Sequence, residues 1–427
     1  MTKVSISEAW EKLFESHRIL EVIEEKGYYE IEADTIKKYK EPRLMTKFDT
    51  TDNLPKILKI NKLGILPIEN GKYYIAKMNL YNRIDKSEGN VLTKEFPSYL
   101  QTLDLNNIYS ESNALNIAFI TGMIDDVAGE KVQLTISGRM RVGELSFGVD
   151  ASNDETEKVS ITVKGTQIEI DGGYEGENHV LLIEAKNRKC QNFIIRQLFY
   201  PYKFWLSKVN KNVVPVFMEY DNGLFNFFTY EFTDKNNYSS IKLVKTHTFR
   251  VMTEDSEAKK SRIIEDVHLI DDKPQFEVPF PQADSFNRII EMIYYFNNRR
   301  LSACDVSDYF QFTRRQGNYY ISAAIYLELL EKCENAGLYK LSDKALFLIN
   351  NSEKSGLEVI FQQIMSHKVF NEVYRRMIKN EDEVTDAEII QIMREFVPEL
   401  TDRIEVLKRR SRTVRAWINW SRGVIFE

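Results

Sequence analysis

The sequence is poor in cysteine, and the three present, Cys190, Cys304 and Cys333, lie far apart. An odd and scattered set forms no disulfide framework and offers no zinc-ligand spacing, so the thiols read as those of a reducing cytoplasm. No stretch approaches the ~18 uncharged apolar residues of a membrane span, and MTKVSISEAWEKLF lacks the apolar core of a signal peptide. Neither export nor membrane insertion is expected. There is no phosphate-cradling Gly-x-x-x-x-Gly-Lys loop, which argues against ATP-driven work by this chain. The histidines, His17, His179, His247, His268 and His367, are too dispersed for a metal cluster or a His-based triad, and His179 reads as a hairpin residue. Repeats of fixed period and low-complexity tracts are also missing, which removes solenoid and fibrous architectures.

What is present is a globular composition. Of 427 residues 43% are hydrophobic, with 22 Tyr and 25 Phe, enough apolar surface for two or three cores rather than one. The net charge of −6 opposes a polyanionic partner, but the charge is unevenly spread. Glu254 to Asp272 holds seven acids against three bases, whereas Arg403 to Arg422 holds seven bases against the single Glu405. A local basic face survives the overall balance.

Four segments follow from the patterning. Residues 1–90 open with apolar positions at helical spacing (Ala9, Leu13, Phe14, Ile19, Leu20, Ile23), followed by a turn, a strand and a short helix, in the manner of a small winged or helical domain. Residues 91–251 predict an α/β core with a central mixed sheet: a helix over Ser110–Gly129, paired strands in VQLTISGRMRVGELSFGV, one strand in SITVKGTQIEID, a buried strand in HVLLIEAK, an aromatic-rich helix from Phe193 to Lys208, then VVPVFMEY and FNFFTYEF. Residues 252–284, charged and then rich in proline (Pro274, Pro279, Pro281), read as a linker. Residues 285–427 read as helical. SFNRIIEMIYYF, DVSDYFQF and a longer helix ending at Gly337, followed by a wing near Tyr339, outline a winged helix-turn-helix.

The sharpest chemical signal is QIEIDGGYEGENHVLLIEAK. Asp171 ends one strand beside a Gly172-Gly173 turn, and Glu184 and Lys186, two apart on the next strand, share a face. Two ionised carboxylates a few ångströms apart repel unless a cation lies between them. Magnesium suits such oxygen donors. Asp171 and Glu184 would hold the ion, and Lys186 would hydrogen-bond a phosphate oxygen and the attacking water. A bare Glu-x-Lys is common, but here it follows Val180, Leu181, Leu182 and Ile183, a run expected in a buried strand where charge needs a purpose.

With IEIDGGY, LLIEAKN and RQLFYPYKFW in place, the segment from about 105 to 235 resembles the PD-(D/E)xK nuclease superfamily, and within it type II restriction endonucleases. The resemblance implies a Mg2+-dependent, sequence-specific endonuclease of double-stranded DNA, with Asp171, Glu184 and Lys186 as the catalytic set. The first motif is Ile-Asp where the family has Pro-Asp. Such nucleases also place an acid on the helix before the sheet, matched by Glu111, and metal-orienting residues on the helix after it, matched by Gln197; Tyr200 and Tyr202 share that helix, and Glu169 shares a strand face with Asp171. The resemblance further implies a cognate DNA methyltransferase that protects the host, and a homodimer able to cut both strands. A repair or structure-selective nuclease, and a DNA-binding regulator with an inactive core, are the rival readings.

Two candidate DNA-binding surfaces complete the sequence reading. Arg314, Arg315, Gln316 and Tyr319 (or Tyr320) stand at the start of the presumptive recognition helix, where base-edge and backbone contacts arise. Lys408, Arg409, Arg410 and Arg412, with Arg415 and Arg422 around Trp417 and Trp420, suit phosphate binding. Arg43 and Lys47, in EPRLMTKFD, decide nothing at this level.

Overall fold

The computed structural model describes residues 5–425 apart from 86–89, 98, 155, 271–278, 312, 335–336, 351–352, 381–383, 399 and 401–402. The chain is mixed α/β and divides into two compact units. One comprises residues 1–89, 109–220 and 226–248, the other residues 90–108, 221–225 and 249–427. No described helix is long and apolar enough to cross a membrane.

Strands in chain order are β1 (Tyr28–Glu32), β2 (Gly64–Glu69), β3 (Lys72–Ala76), β4 (Tyr81–Arg83), β5 (Val91–Glu95), β6 (Gln133–Arg141), β7 (Glu144–Asp150), β8 (Lys158–Lys164), β9 (Gln167–Glu175), β10 (His179–Lys186), β11 (Asn192–Ile194), β12 (Asn212–Asp221), β13 (Leu224–Phe232) and β14 (Ile241–Met252). Seven of them form a central sheet in the order β5-β14-β13-β12-β10-β9-β6. It is mixed: β9 runs antiparallel to both β6 and β10, while β10 runs parallel to β12.

The middle of this sheet is buried on both faces, which explains the unbroken apolar run in β10. Val180, Leu181, Leu182 and Ile183 are each at most 2% exposed. The helices Glu111–Ile120 and Arg196–Leu206 both pack on β9 and β10. Around β10 the core adds Phe193, Phe199 and Phe217, with the rings of Phe193 and Phe217 stacked 4.5 Å apart.

Several sequence expectations shift in detail. Gly172 and Gly173 are not a turn but lie inside β9; the turn follows at Gly176, whose N–H meets the His179 carbonyl. Their smallness serves packing instead, since a Cβ on Gly173 would sit 2.6 Å from Cβ of Ile136 and one on Gly172 2.8 Å from the Tyr174 ring. SITVKGTQIEID is two strands, β8 and β9, and β6 pairs with β9 rather than with its sequence neighbour β7, which pairs with β8. The helix expected over Ser110–Gly129 breaks at Gly122, where φ is 73°. That expected from Phe193 runs Arg196–Leu206, because Asn192–Ile194 pairs with β4.

The elements from Ile6 to Ala76 pack against this core within the same unit. A three-stranded sheet, order β1-β3-β2, lies beside the helix Ile6–His17, whose Trp10, Leu13 and Phe14 are buried and whose start is closed by reciprocal bonds between Ser5 and Glu8.

In the second unit the charged stretch after Met252 is not a linker. Residues Glu254–Asp266 form a helix with Ile263 and Ile264 buried, and Phe280 and Ala283 are core residues. Pro274 lies outside the described residues. Helix Phe286–Tyr295 is followed by an isolated bridge from Leu301 to Tyr339, the helices Ala303–Phe310 and Arg314–Tyr326, and the antiparallel hairpin β15 (Leu330–Lys332) and β16 (Tyr339–Leu341). The third helix therefore stops eleven residues short of Gly337, which occupies the hairpin turn with φ of 83°. The chain ends in a helical set closed by the long helix Ile404–Gly423, with Trp417 fully buried and its Nε1–H donated to the Ala283 carbonyl at 2.8 Å.

Candidate active site

The β9–β10 ladder includes the pairs Leu182–Gly173 and Ile183–Gly172, so one step further brings Glu184 opposite Asp171. Paired positions across two antiparallel strands present their side chains to the same face. Asp171 is fixed by the Ala185 N–H, which donates to its Oδ2 at 2.9 Å. Glu184, only 8% exposed, accepts at Oε1 from both the Lys186 ammonium and the Gln197 amide. Alternation on β10 aims Glu184 and Lys186 together, and the helix Arg196–Leu206 delivers Gln197 one residue into its first turn.

The electrostatics match that crowding. Burial pushes the Glu184 carboxyl up to about 7; Lys186 pulls it back, while Asp171 and Asp49 push it further up. Asp171 is also raised, first by burial, against the pull of the Ala185 N–H and Lys186, and with help from Glu111 and Glu169. For Lys186 burial acts downward, but the fields of Glu184, Asp49 and Asp171 outweigh it and leave the ammonium raised. Acids crowd the site, Asp171 making Glu184 harder to ionise and Glu111 and Glu169 doing the same to Asp171, so it is short of positive charge.

Asp171, Glu184 and Lys186 form the floor of a polar cleft of about 590 Å3. Glu111 lines it from the first turn of its helix, exposed, with its field reaching Asp171. Glu169 lines it too, but is paired with Arg139 at 3.1 Å. Tyr200 reaches the cleft, yet its side chain is buried in the core and its hydroxyl donates to the Pro67 carbonyl; Tyr202 packs against Phe232. His179 is a hairpin residue whose Nδ1 lies 2.9 Å from Glu130.

One acid escaped the sequence reading. Asp49 follows the helix Pro42–Thr46, far from the motif in sequence, and its field reaches both Glu184 and Lys186. Its Oδ1 is buried without a hydrogen-bond partner, as is Oε1 of Gln197. The residue is held there through its backbone, because the Ile194 N–H donates to its carbonyl at 2.9 Å. No local pattern around Asp49 marks it.

Three stretches of the chain match families described as domains of unknown function: residues 7–75 (DUF6996), 76–250 (DUF6997) and 288–425 (DUF7226). No curated protein and no solved structure matches the chain. The cleft draws on both of the first two stretches, with Arg43, Thr46 and Lys47 from one and the Asp171–Glu184–Lys186 floor from the other.

The donor set tests well against magnesium. Among the described residues no three His, Cys, Asp or Glu side chains gather closely enough to cage an ion by themselves. Mg2+ does not need such a cage: it is commonly held by one or two carboxylates, with water and substrate phosphate completing its shell. Asp171 and Glu184 would provide those two hard oxygen donors, and the buried, unpartnered oxygens of Asp49 and Gln197 would add acceptor character.

The second unit holds the other residues singled out from sequence. Arg314 and Arg315 are exposed at the start of the helix Arg314–Tyr326, and Arg315 leans on Tyr319, its guanidinium 5.6 Å from the ring centre. Gln316 is committed locally: its Oε1 accepts from the Thr313 N–H and hydroxyl, both at 3.0 Å, closing a capping box. That use of its oxygen conflicts with the base-edge contact expected of it, since a two-point contact needs both the amide oxygen and the amide nitrogen. Tyr320 is buried. On the last helix Lys408, Arg409 and Arg412 are exposed, but Arg410 turns inward, 8% exposed beside the Phe280 ring. Burial, reinforced by Arg409, lowers its guanidinium to about 10. Helical spacing sets Arg410 on the same buried side as Leu407, Val414 and Trp417, which corrects its assignment as a DNA contact.

Proposed function

We propose that this chain is a magnesium-dependent endonuclease of double-stranded DNA, of the PD-(D/E)xK type and specifically a type II restriction enzyme. The observation that carries the reading is the convergence of Asp171, Glu184 and Lys186 on the floor of one polar cleft, with Gln197 bonded to Glu184. Burying a glutamate until its carboxyl titrates near 7 costs a fold stability, and such perturbed groups gather where chemistry is done.

Asp171 and Glu184 would hold Mg2+. When bound, the ion supplies positive charge against that growing on the scissile phosphate and makes water a better nucleophile. Gln197 and the Ala185 N–H fix the two carboxylates in place before substrate arrives, so little reorganisation is needed. Lys186, kept protonated by its acidic neighbours, would donate to a phosphate oxygen and steady the developing negative charge. Glu111, which lines the cleft, would be the additional acid that the resemblance implies.

DNA recognition on this reading falls to the second unit. Helix, bridging residue, helix, tight turn, helix and hairpin follow one another in the order of a winged helix-turn-helix, with Leu301 joining the hairpin edge at Tyr339. Arg314 and Arg315 would reach base edges; Lys408, Arg409 and Arg412 would meet phosphates. A methyltransferase of the same specificity would protect the host's own sites.

Incubation of plasmid DNA with the purified chain and Mg2+ tests the reading. Discrete bands are expected; a smear would point instead to a structure-selective or non-specific nuclease, and intact plasmid would sink the endonuclease assignment. Asp171→Ala and Lys186→Ala should each slow cleavage by about 100-fold or more while DNA binding in Ca2+ persists. Equal loss of binding would remove the catalytic role from these residues.

A further inference from the structure

An acidic floor alone repels the strand it is meant to cut. At neutral pH each phosphodiester carries a full negative charge, and a groove of carboxylates admits it only if cations line the approach. The cleft has such a lining, and much of it comes from outside the stretch that carries the catalytic motif: Arg43 and Lys47 belong to the helix Pro42–Thr46 and the residue after it, while Arg139 and Arg196 come from β6 and the helix after β11.

The segment bearing Arg43 and Lys47 is held through its backbone and the buried Met45, and it leaves Arg43, Leu44 and Lys47 outside. Met45 is fully buried, and its carbonyl accepts from Trp10 Nε1 at 2.9 Å. Thr46 donates to the Pro42 carbonyl, Tyr81 donates to that of Phe48 at 2.9 Å, and Thr51 exchanges bonds of 2.8 Å with Asn192. Arg43 and Lys47 are exposed; Lys47 lies 3.9 Å from Asp49, too loose a pair to neutralise it, and no ion pair engages Arg43 among the described residues. Fixed backbone with exposed cations is the arrangement of a backbone clamp, since it places charge without spending chain entropy on binding.

We propose that Arg43 and Lys47 seat the phosphate backbone of the DNA strand entering the cleft, so that the stretch of residues 7–75 is part of the substrate site. The proposal rests on the phosphodiesterase reading for the identity of the ligand. It assigns these two cations a sequence-independent task, distinct from the base-reading role proposed for Arg314 and Arg315.

The test uses the full chain and sheared plasmid DNA in Ca2+, with affinity measured over a series of salt concentrations. Each phosphate contact contributes about 0.9 to the slope of log K against log salt, so Arg43→Ala/Lys47→Ala should flatten the slope by about 1.8. Arg43→Lys/Lys47→Arg should keep the wild-type slope. An unchanged slope in the double alanine variant, at an unchanged melting temperature, overturns the proposal. If the double variant does not fold, the single variants carry the same test, each expected to lose about 0.9. Mg2+-dependent cleavage is scored separately: a flattened slope in a wild-type background that never cuts DNA would support the clamp and sink the nuclease reading. Normal cleavage with an unchanged slope would do the reverse, and failure of the wild-type chain to bind DNA would end both.

Discussion

At the scale of single residues, the most informative groups are those whose charge is buried. Glu184 and Lys186 answer each other, so neither can be removed without stranding the other. Lys260 differs. It is completely buried, donates to Glu257 at 2.9 Å and to the Arg422 carbonyl at 2.7 Å, and is lowered to about 8, first by burial and further by Arg250 and Arg422. A lysine depressed in the fold is fully compatible with it only when neutral: the stability it withholds is present above the unfolded value near 10.5 and lost as pH falls through about 8. The shift corresponds to roughly 3 kcal/mol, against about 1–2 kcal/mol for leaving the Arg422 carbonyl without its donor. Lys260→Met should therefore stabilise the chain by about 1–2 kcal/mol at pH 7, with the gain shrinking as pH rises from 8 towards 10.5. Denaturant melts at three pH values check this, and a gain independent of pH would show that packing rather than charge is responsible.

At the scale of elements, the pair of helices ahead of the β15–β16 hairpin depends on one small residue. Gly317 faces Ala303 and Ser307 on the preceding helix so closely that a Cβ there would lie 2.2 Å from the Ser307 hydroxyl and 2.7 Å from the Ala303 carbonyl. The hydroxyl can swing away; the carbonyl cannot. Alanine is the better helix former by about 1 kcal/mol, but pushing two helices apart costs about 1–3 kcal/mol, so the crowding should win. Gly317→Ala should lower the melting temperature and, on the proposed DNA-binding role of this unit, weaken DNA binding together with it. Weakened binding with an unchanged melting temperature would place Gly317 on the DNA instead of between the helices.

At the scale of the whole chain, the stretch carrying Asp171, Glu184 and Lys186 does not close on itself. Residues 76–250 rely on the N-terminal stretch for part of the cleft wall, for the Asp49 carboxylate and for backbone bonds to Phe48, Asp49 and Thr51. Leu66 and Ile68 of β2 also enter the core around β10. A fragment of residues 76–250 should then fail to melt cooperatively, whereas the same fragment extended back to residue 1 should recover cooperativity. Circular dichroism melts distinguish the two, and a cooperative transition in the shorter fragment would show that the dependence is one-sided.

The boundary between what was legible in sequence and what was not runs along distance in the chain. Asp171, Glu184 and Lys186 could be read directly, because strand alternation and the apolar run Val180–Ile183 are local signals. Gln197 was within reach, on the next helix. The Gly172-Gly173 pair misled, since glycine marks turns and close packing alike, and only the position of Ile136 and Tyr174 tells which applies. β6 and β7 alternate in sequence as a hairpin would, yet each finds a different partner, because pairing is decided by which apolar faces meet. Arg410 and Arg409 are neighbours of identical chemistry, and only the packing of their helix sends one inward.

Sequence alone therefore determined the mixed α/β class, the two acids and the lysine, and the helical character of the C-terminal third, all of which depend on periodicity within a few residues. Tertiary structure decided the strand order, the entry of Arg43 and Lys47 into the cleft, the reach of the Asp49 field to Glu184 and Lys186, and the burial of Arg410. These contacts join residues tens to more than a hundred positions apart, and their energies come from burial and from fields acting through space, to which order along the chain is blind.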